Sequence, residues 1–182
     1  MGSRDRMTLL DDVKTRLTGL ARSSEREYAG DEDRPLAGYV GTMAVYATLV
    51  AAIAALARAT GRDIPEGLDL KDVALSAAAT HKLSRLLAKD PVTSPLRAPF
   101  TEYRGTSGPS ELKEDVRGQG ARKAVGELIT CPFCTGVWVA TGMTAGLIYL
   151  PRTTRLAMGT LAALAGADAL QLSYAWLQKA AS

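Results

Sequence analysis

The stretch from Ile129 to Gln178, "ITCPFCTGVWVATGMTAGLIYLPRTTRLAMGTLAALAGADALQLSYAWLQ", contains two apolar runs, and only the five residues "PRTTR" separate them. A helix that rises about 1.5 Å per residue needs about twenty such residues to cross a hydrocarbon core of about 30 Å. Asp168 is the one charged residue in the two runs. The pattern predicts a membrane hairpin with helices at about 129–150 and 156–178.

Two further segments extend this prediction towards the N-terminus. Residues 36–57 carry no charged side chain, so they predict a third membrane helix. Residues 70–89 are long enough for a fourth, but Lys82 and Arg85 would each cost about 2.5–3.5 kcal/mol at the centre of a membrane helix. Two arrangements are then open. We predict four membrane helices, and the rival arrangement is three crossings plus an amphipathic helix.

The distribution of basic residues favours four crossings. Residues 1–35 contain seven Lys and Arg, and residues 89–123 contain another seven. Basic segments are concentrated on the cytoplasmic side of membrane proteins. Four crossings place both segments inside, which predicts a multi-pass protein of the cell membrane with both termini cytoplasmic.

The remaining segments complete an all-α membrane helical bundle in two parts. Residues 1–35 predict a cytoplasmic amphipathic helix, at 7–27, followed by a charged linker. Residues 36–178 form the membrane domain, with an inner loop at 90–127. The net charge is only +3, and acidic residues are interleaved with the basic ones, so we expect no nucleic-acid partner.

Cys131-Pro132-Phe133-Cys134 begins the first apolar run of the hairpin, and three interpretations are open. A CxxC at a helix start is typical of thiol redox sites. Two thiolates at this spacing also suit zinc or iron, with His81, the single histidine, as a third ligand. In the third interpretation Pro132 starts the helix and both cysteines only pack as small apolar residues.

A second group of candidate residues consists of polar side chains within the predicted membrane helices: His81, Lys82, Arg85 and Asp168. A charged residue inside a membrane needs a partner, and it often marks a proton or ion pathway. A buried pair that only fixes how two helices pack would leave the same pattern.

A third group, Asp90, Arg97 and Glu127, is predicted to lie at the membrane interface. The three prolines of 91–99 recur at four-residue spacing, which predicts an extended stretch along the cytoplasmic surface. Arg97 is then expected to meet lipid phosphate, Asp90 or Glu127.

Two of the motifs indicate a family. "ATHKLSRLLAKDPVTSPLRAPFTEY", residues 79–103, followed by "GELITCPFCTGVWVA", residues 126–140, resembles the bacterial domain-of-unknown-function family 1360. Its members are small membrane proteins, some of them labelled as sporulation proteins. The resemblance covers roughly residues 36–178, and it implies the membrane class without implying an activity.

The expected function is that of a structural or regulatory membrane component, spore- or envelope-related, without enzymatic activity. Its expected partners are the lipid bilayer and either further copies of itself or another membrane protein. The alternatives are a CxxC-centred metal-binding or thiol-redox membrane protein and a proton-linked transporter that uses His81, Arg85 and Asp168.

Overall fold

A computed structural model describes residues 32–181 without interruption, together with residues 12, 15–16, 18–20, 23–25 and 27–30. The amphipathic helix predicted at 7–27 lies largely outside these residues and stays a prediction.

The described chain is mostly helical and contains one small antiparallel sheet of two strands. The elements are α1 (Leu36–Ala59), α2 (Leu70–Lys89), a 3₁₀ turn (Pro91–Thr93), α3 (Ser94–Arg97), β1 (Thr101–Gly108), β2 (Glu111–Val116), α4 (Gly120–Thr130), α5 (Pro132–Tyr149) and α6 (Pro151–Ala181). The all-α prediction is therefore wrong for the predicted inner loop, which folds into the 3₁₀ turn, α3, the hairpin and most of α4. We call residues 90–130 the platform.

The boundaries of the predicted helices follow local chemistry. The Asp69 side chain caps α2 by accepting a hydrogen bond from the backbone N–H of Asp72, at 2.7 Å. Pro151 begins α6, so "PRTTR" is helical and only Leu150 separates α5 from α6. The predicted helix at 129–150 corresponds to α5 together with the last two residues of α4, and the axes of these two helices bend by 79° at Cys131.

Three of the helices, α2, α5 and α6, pack together around a small core. Ala79, Leu147 and Met158 are its buried members, one from each helix. Two ion pairs, Asp72–Arg155 and Lys82–Asp168, join α2 to α6 at successive levels. Hence α2 and α6 run in the same direction, while α5, which turns directly into α6, runs opposite to both.

Helix α1 lies at the side of this core, parallel to α5. The Tyr46 hydroxyl is 2.8 Å from that of Thr141, and the Tyr149 hydroxyl donates to the carbonyl of Ile53 at 2.6 Å. Near its start, α1 touches α4 so closely that a Cβ on Gly38 would lie 2.7 Å from Cβ of Ala124. The bundle therefore has two ends: a platform end, and a loop end formed by residues 60–69 and 150.

Within the described residues, α1 and α6 are long and apolar enough to cross a membrane, and α4 with α5 would be a third crossing if the bent pair is one span. Helix α2 does not reach this hydropathy, since it carries six ionisable side chains in twenty residues. Two candidate spans are consistent with a membrane location, and the predicted four-helix membrane bundle goes beyond them.

Candidate functional site

The most extensively bonded side chain of the platform is Arg97, which is almost completely buried. Its Nε donates to Glu114 on β2 at 2.6 Å, and Nη1 donates to the carbonyl of Leu87 at 2.8 Å and to the Thr93 hydroxyl at 2.7 Å. Nη2 donates to the carbonyl of Asp90 at 3.0 Å. One guanidinium thus satisfies carbonyls at the C-terminal end of α2 and fixes the hairpin to that end.

The two prolines that precede Arg97 start helical turns. Pro91 begins the 3₁₀ turn, and Pro95 lies in the first turn of α3, where a missing N–H costs no hydrogen bond. The Asp90 carboxylate accepts from the N–H of Val92 at 2.8 Å and so caps the first of these turns. The prediction of an extended stretch at 91–99 is therefore wrong.

The three residues predicted at the interface lie in different environments. Arg97 is buried inside the platform, with only 1% of its side chain exposed, and Asp90 contacts it through its backbone carbonyl. Glu127 on α4 does not meet Arg97; it accepts a hydrogen bond from the Tyr39 hydroxyl and lies 3.9 Å from Arg34. Because Arg34 also bonds to the Tyr39 hydroxyl, the pKa of its guanidinium is raised. Glu127 thus connects the start of α1 to α4.

The four polar residues predicted within the membrane helices are not brought together as one cluster. Lys82 meets Asp168, with Nζ 2.5 Å from a carboxylate oxygen. Arg85 pairs instead with Glu111 at the start of β2, and His81 is exposed. Asp168 is thus paired with a basic residue of α2, while Arg85 is paired with an acidic residue of the platform.

The two cysteines lie at the bend between α4 and α5. Cys131 is the N-cap of α5, and its sulfur accepts from the backbone N–H of Cys134 at 3.3 Å. The two sulfur atoms are 2.7 Å apart, and both cysteines are free. In the described part of the chain, His81 does not join them, and no group of three or more His, Cys, Asp and Glu side chains could hold a metal ion. The arrangement is a vicinal dithiol.

An apolar cavity of about 360 Å³ lies between α1 and α5. Tyr46, Val50 and Ile53 line it from α1, and Ala140 and Ala145 line it from α5. None of these five side chains is charged, so the cavity suits an apolar chain and not a polar substrate.

Sequence reasoning missed the partners on which these contacts depend. Glu114 lies in a polar strand with no hydrophobic alternation, so nothing in the sequence marks it as buried. Asp72 looks like an ordinary acidic residue of a first helical turn, yet it is buried. Its carboxylate accepts hydrogen bonds from two guanidinium nitrogens of Arg155, at 2.6 and 2.9 Å. A usable signal lay in Thr93 and Arg97, whose four-residue spacing would place them on one face of a helical turn.

Comparisons with known proteins identify the core of the chain. The family model for proteins of unknown function DUF1360 matches residues 75–174, which include most of α2, the platform, α5 and most of α6. The match begins after α1, so the resemblance is shorter than the 36–178 expected from the motifs.

Two curated relatives come from Bacillus subtilis (strain 168). The chain is 32% identical to sporulation protein YjcA over 112 residues, which is 59% of this chain and 94% of YjcA. It is 29% identical to UPF0713 protein YngL over 97 residues, which is 50% of this chain and 68% of YngL. No solved structure matches. The family match covers more than half of the chain, and the protein therefore belongs to the DUF1360 family of proteins of unknown function.

Proposed function

We propose that this protein is a multi-pass membrane component with a structural or regulatory role, which holds the platform at the cytoplasmic face of the bilayer. One observation carries the proposal: α1 and α6 are long and apolar, and most of their residues are exposed in the structure. Gly38 and Ala57 are the buried residues of α1, and Met158 is that of α6. Apolar helices exposed in this way are stable in lipid and costly in water.

The packing of α2 supports four crossings. Asp72 meets Arg155 near the start of α6, and Lys82 meets Asp168 further along. If α6 crosses the bilayer, α2 lies beside it at the same depth and crosses too. Asp72 and Lys82 then enter the membrane as members of ion pairs, and pairing is how ionisable groups are accommodated there.

The alternation of helix directions supports an arrangement with both termini inside. The platform end contains the start of α1, the platform and the last turns of α6. The basic segment 89–123 lies almost wholly in the platform, and the basic segment 1–35 precedes α1 at the same end. The loop end carries fewer basic residues, namely Arg58, Arg62, Lys71, Arg152 and Arg155. Because cytoplasmic segments are the basic ones, the platform end faces the cytoplasm.

A regulatory or structural role is favoured over catalysis by the burial of the most extensively hydrogen-bonded polar site. Arg97 and Glu114 expose only 1% and 7% of their side chains, so neither can bind a substrate. The network fixes the shape of the platform and leaves its outer surface for a partner, either a further copy of this chain or another membrane protein. The name of the relative YjcA places that protein in sporulation, and we extend a spore- or envelope-related role to this chain.

The experiment that tests this proposal is cysteine accessibility in intact cells. In a Cys131→Ser/Cys134→Ser background, Glu66→Cys reports on the loop end and Ser110→Cys on the hairpin turn; both positions are exposed. We expect a membrane-impermeant maleimide to label Glu66→Cys from outside, and Ser110→Cys only after the cells are opened.

Two controls make the result decisive. Both variants should be labelled equally after detergent extraction, and alkaline carbonate should leave the protein in the membrane pellet. Labelling of Ser110→Cys from outside would reverse the topology, and release by carbonate would remove the membrane proposal altogether.

A further inference from the structure

The CxxC pair is the feature that the proposed function leaves unused, and its surroundings do not fit a packing role. Free cysteine is among the most buried residue types when it only fills space. Here Cys134 is exposed, Cys131 is half-buried, and Phe133 between them is 90% exposed. The two exposed residues, Phe133 and Cys134, lie in the first turn of α5, directly after the 79° bend between α4 and α5.

The two sulfur atoms lie close enough together for a disulfide to form between them. Two thiolates on one tetrahedral zinc, each at about 2.3 Å from the metal, lie about 3.8 Å apart. The sulfur atoms of Cys131 and Cys134 are closer, at 2.7 Å, and approach the ~2.05 Å of a covalent disulfide. Among the described residues no third ligand completes a metal site.

The two cysteines also differ in a way that assigns them different roles. Cys131 is the N-cap, so its sulfur lies where the N–H groups of the first turn of α5 favour a negative charge. The Cys134 N–H donates directly to that sulfur. Cys131 is therefore suited to react as the thiolate, and Cys134, one turn further on, is positioned to resolve its product.

We propose that Cys131 and Cys134 form a modification site at which a low-molecular-weight disulfide oxidises the protein reversibly. The Cys131 thiolate attacks one sulfur of the disulfide; a bond forms between them, and the first small thiolate leaves and takes up a proton. Cys134 loses its proton to water and attacks the Cys131 sulfur, which expels the second small thiolate. The protein dithiol loses two electrons, the small disulfide gains them, and two small thiols are released.

The test uses the full-length protein, purified in detergent, reduced, freed of reductant and then incubated with oxidised glutathione. Intact-mass spectrometry should find the wild-type protein lighter by two hydrogens, without an adduct. Cys134→Ser should accumulate a stable glutathione adduct on Cys131, because the resolving thiol is gone. Cys131→Ser should form its adduct at least about threefold more slowly, since Cys134 lacks the position at the helix terminus.

Loss of folding would not imitate these results. Serine is a favoured N-cap residue, so Cys131→Ser preserves the start of α5, and Cys134→Ser replaces an exposed side chain. Equal thermal unfolding midpoints will verify this. The proposal is overturned if the wild-type protein accumulates two adducts, if the single variants react at equal rates, or if the reduced protein retains stoichiometric zinc that blocks the reaction.

Discussion

Replacement of Arg97 by methionine tests whether the platform depends on its buried ion pair. The substitution keeps much of the side-chain volume but removes the donors to Glu114, to the Thr93 hydroxyl and to the carbonyls of Leu87 and Asp90. The Glu114 carboxylate, with 7% of its side chain exposed, is then left without its cation. Removing one member of a buried pair costs about 3–5 kcal/mol, because the other charge stays desolvated.

Hydrogen exchange of the backbone amides of β1 and β2 measures this loss locally. A destabilisation of about 3–5 kcal/mol corresponds to exchange at least about a hundredfold faster, as about 1.4 kcal/mol is a factor of ten. Arg104→Met is the matched control in the same hairpin. Arg104 pairs with Asp115 at 2.9 Å, but both side chains are about half exposed, so the expected cost is at most about 1 kcal/mol.

A double substitution separates the ion pair from simple packing. Arg97→Met/Glu114→Leu removes both charges, and apolar replacement of a buried pair is often neutral. We therefore expect the double variant to exchange more slowly than Arg97→Met. Equal exchange in Arg97→Met and Arg104→Met would refute the reasoning, since the buried pair would then contribute no more than an exposed one.

Two further predictions concern the helix contacts. Gly38→Ala should lower the thermal unfolding midpoint in detergent through an overpacking cost of about 1–3 kcal/mol, because its Cβ would lie 2.7 Å from Cβ of the facing alanine; Gly41→Ala, where nothing lies within 4 Å, should be neutral or stabilising. Lys82→Met should destabilise the protein by about 1–3 kcal/mol by leaving Asp168 unpaired, and Lys82→Met/Asp168→Leu should recover most of that loss. A proton-coupled flux that the folded double variant has lost would instead support transport.

The helices could be predicted from the sequence because their apolar runs are long and their ends carry local signals. The predicted start of α1 at residue 36 and the predicted range 70–89 of α2 agree with the structure. The predicted start of α6, at residue 156, is five residues late, because "PRTTR" is polar and resembles a turn. Its proline instead occupies the first position of the helix, where that residue is well tolerated.

The hairpin could not be predicted in the same way. "TEYRGTSG" and "ELKEDV" lack the alternation of apolar and polar residues that marks a half-buried strand. The strands are held by backbone pairing, by ion pairs between exposed side chains, and by Glu114 beneath them. The CxxC was visible from its spacing, whereas the pairing of Arg97 with Glu114 depends on a fold that brings residues seventeen apart together.

Because α1 lies outside the family match, it decides whether the proposed number of membrane crossings is odd or even. If α2, α5 and α6 each cross the membrane, as proposed, they alone give an odd number of crossings, so a chain built from them begins and ends on opposite faces of the bilayer. In the proposed arrangement α1 makes the number even and brings the N-terminal segment to the face that holds the platform. The ion pair between Asp33 and Lys123, at 3.2 Å, agrees with this arrangement, because it joins the residues just before α1 to α4. In the proposed arrangement, one added helix decides on which side of the membrane the chain begins.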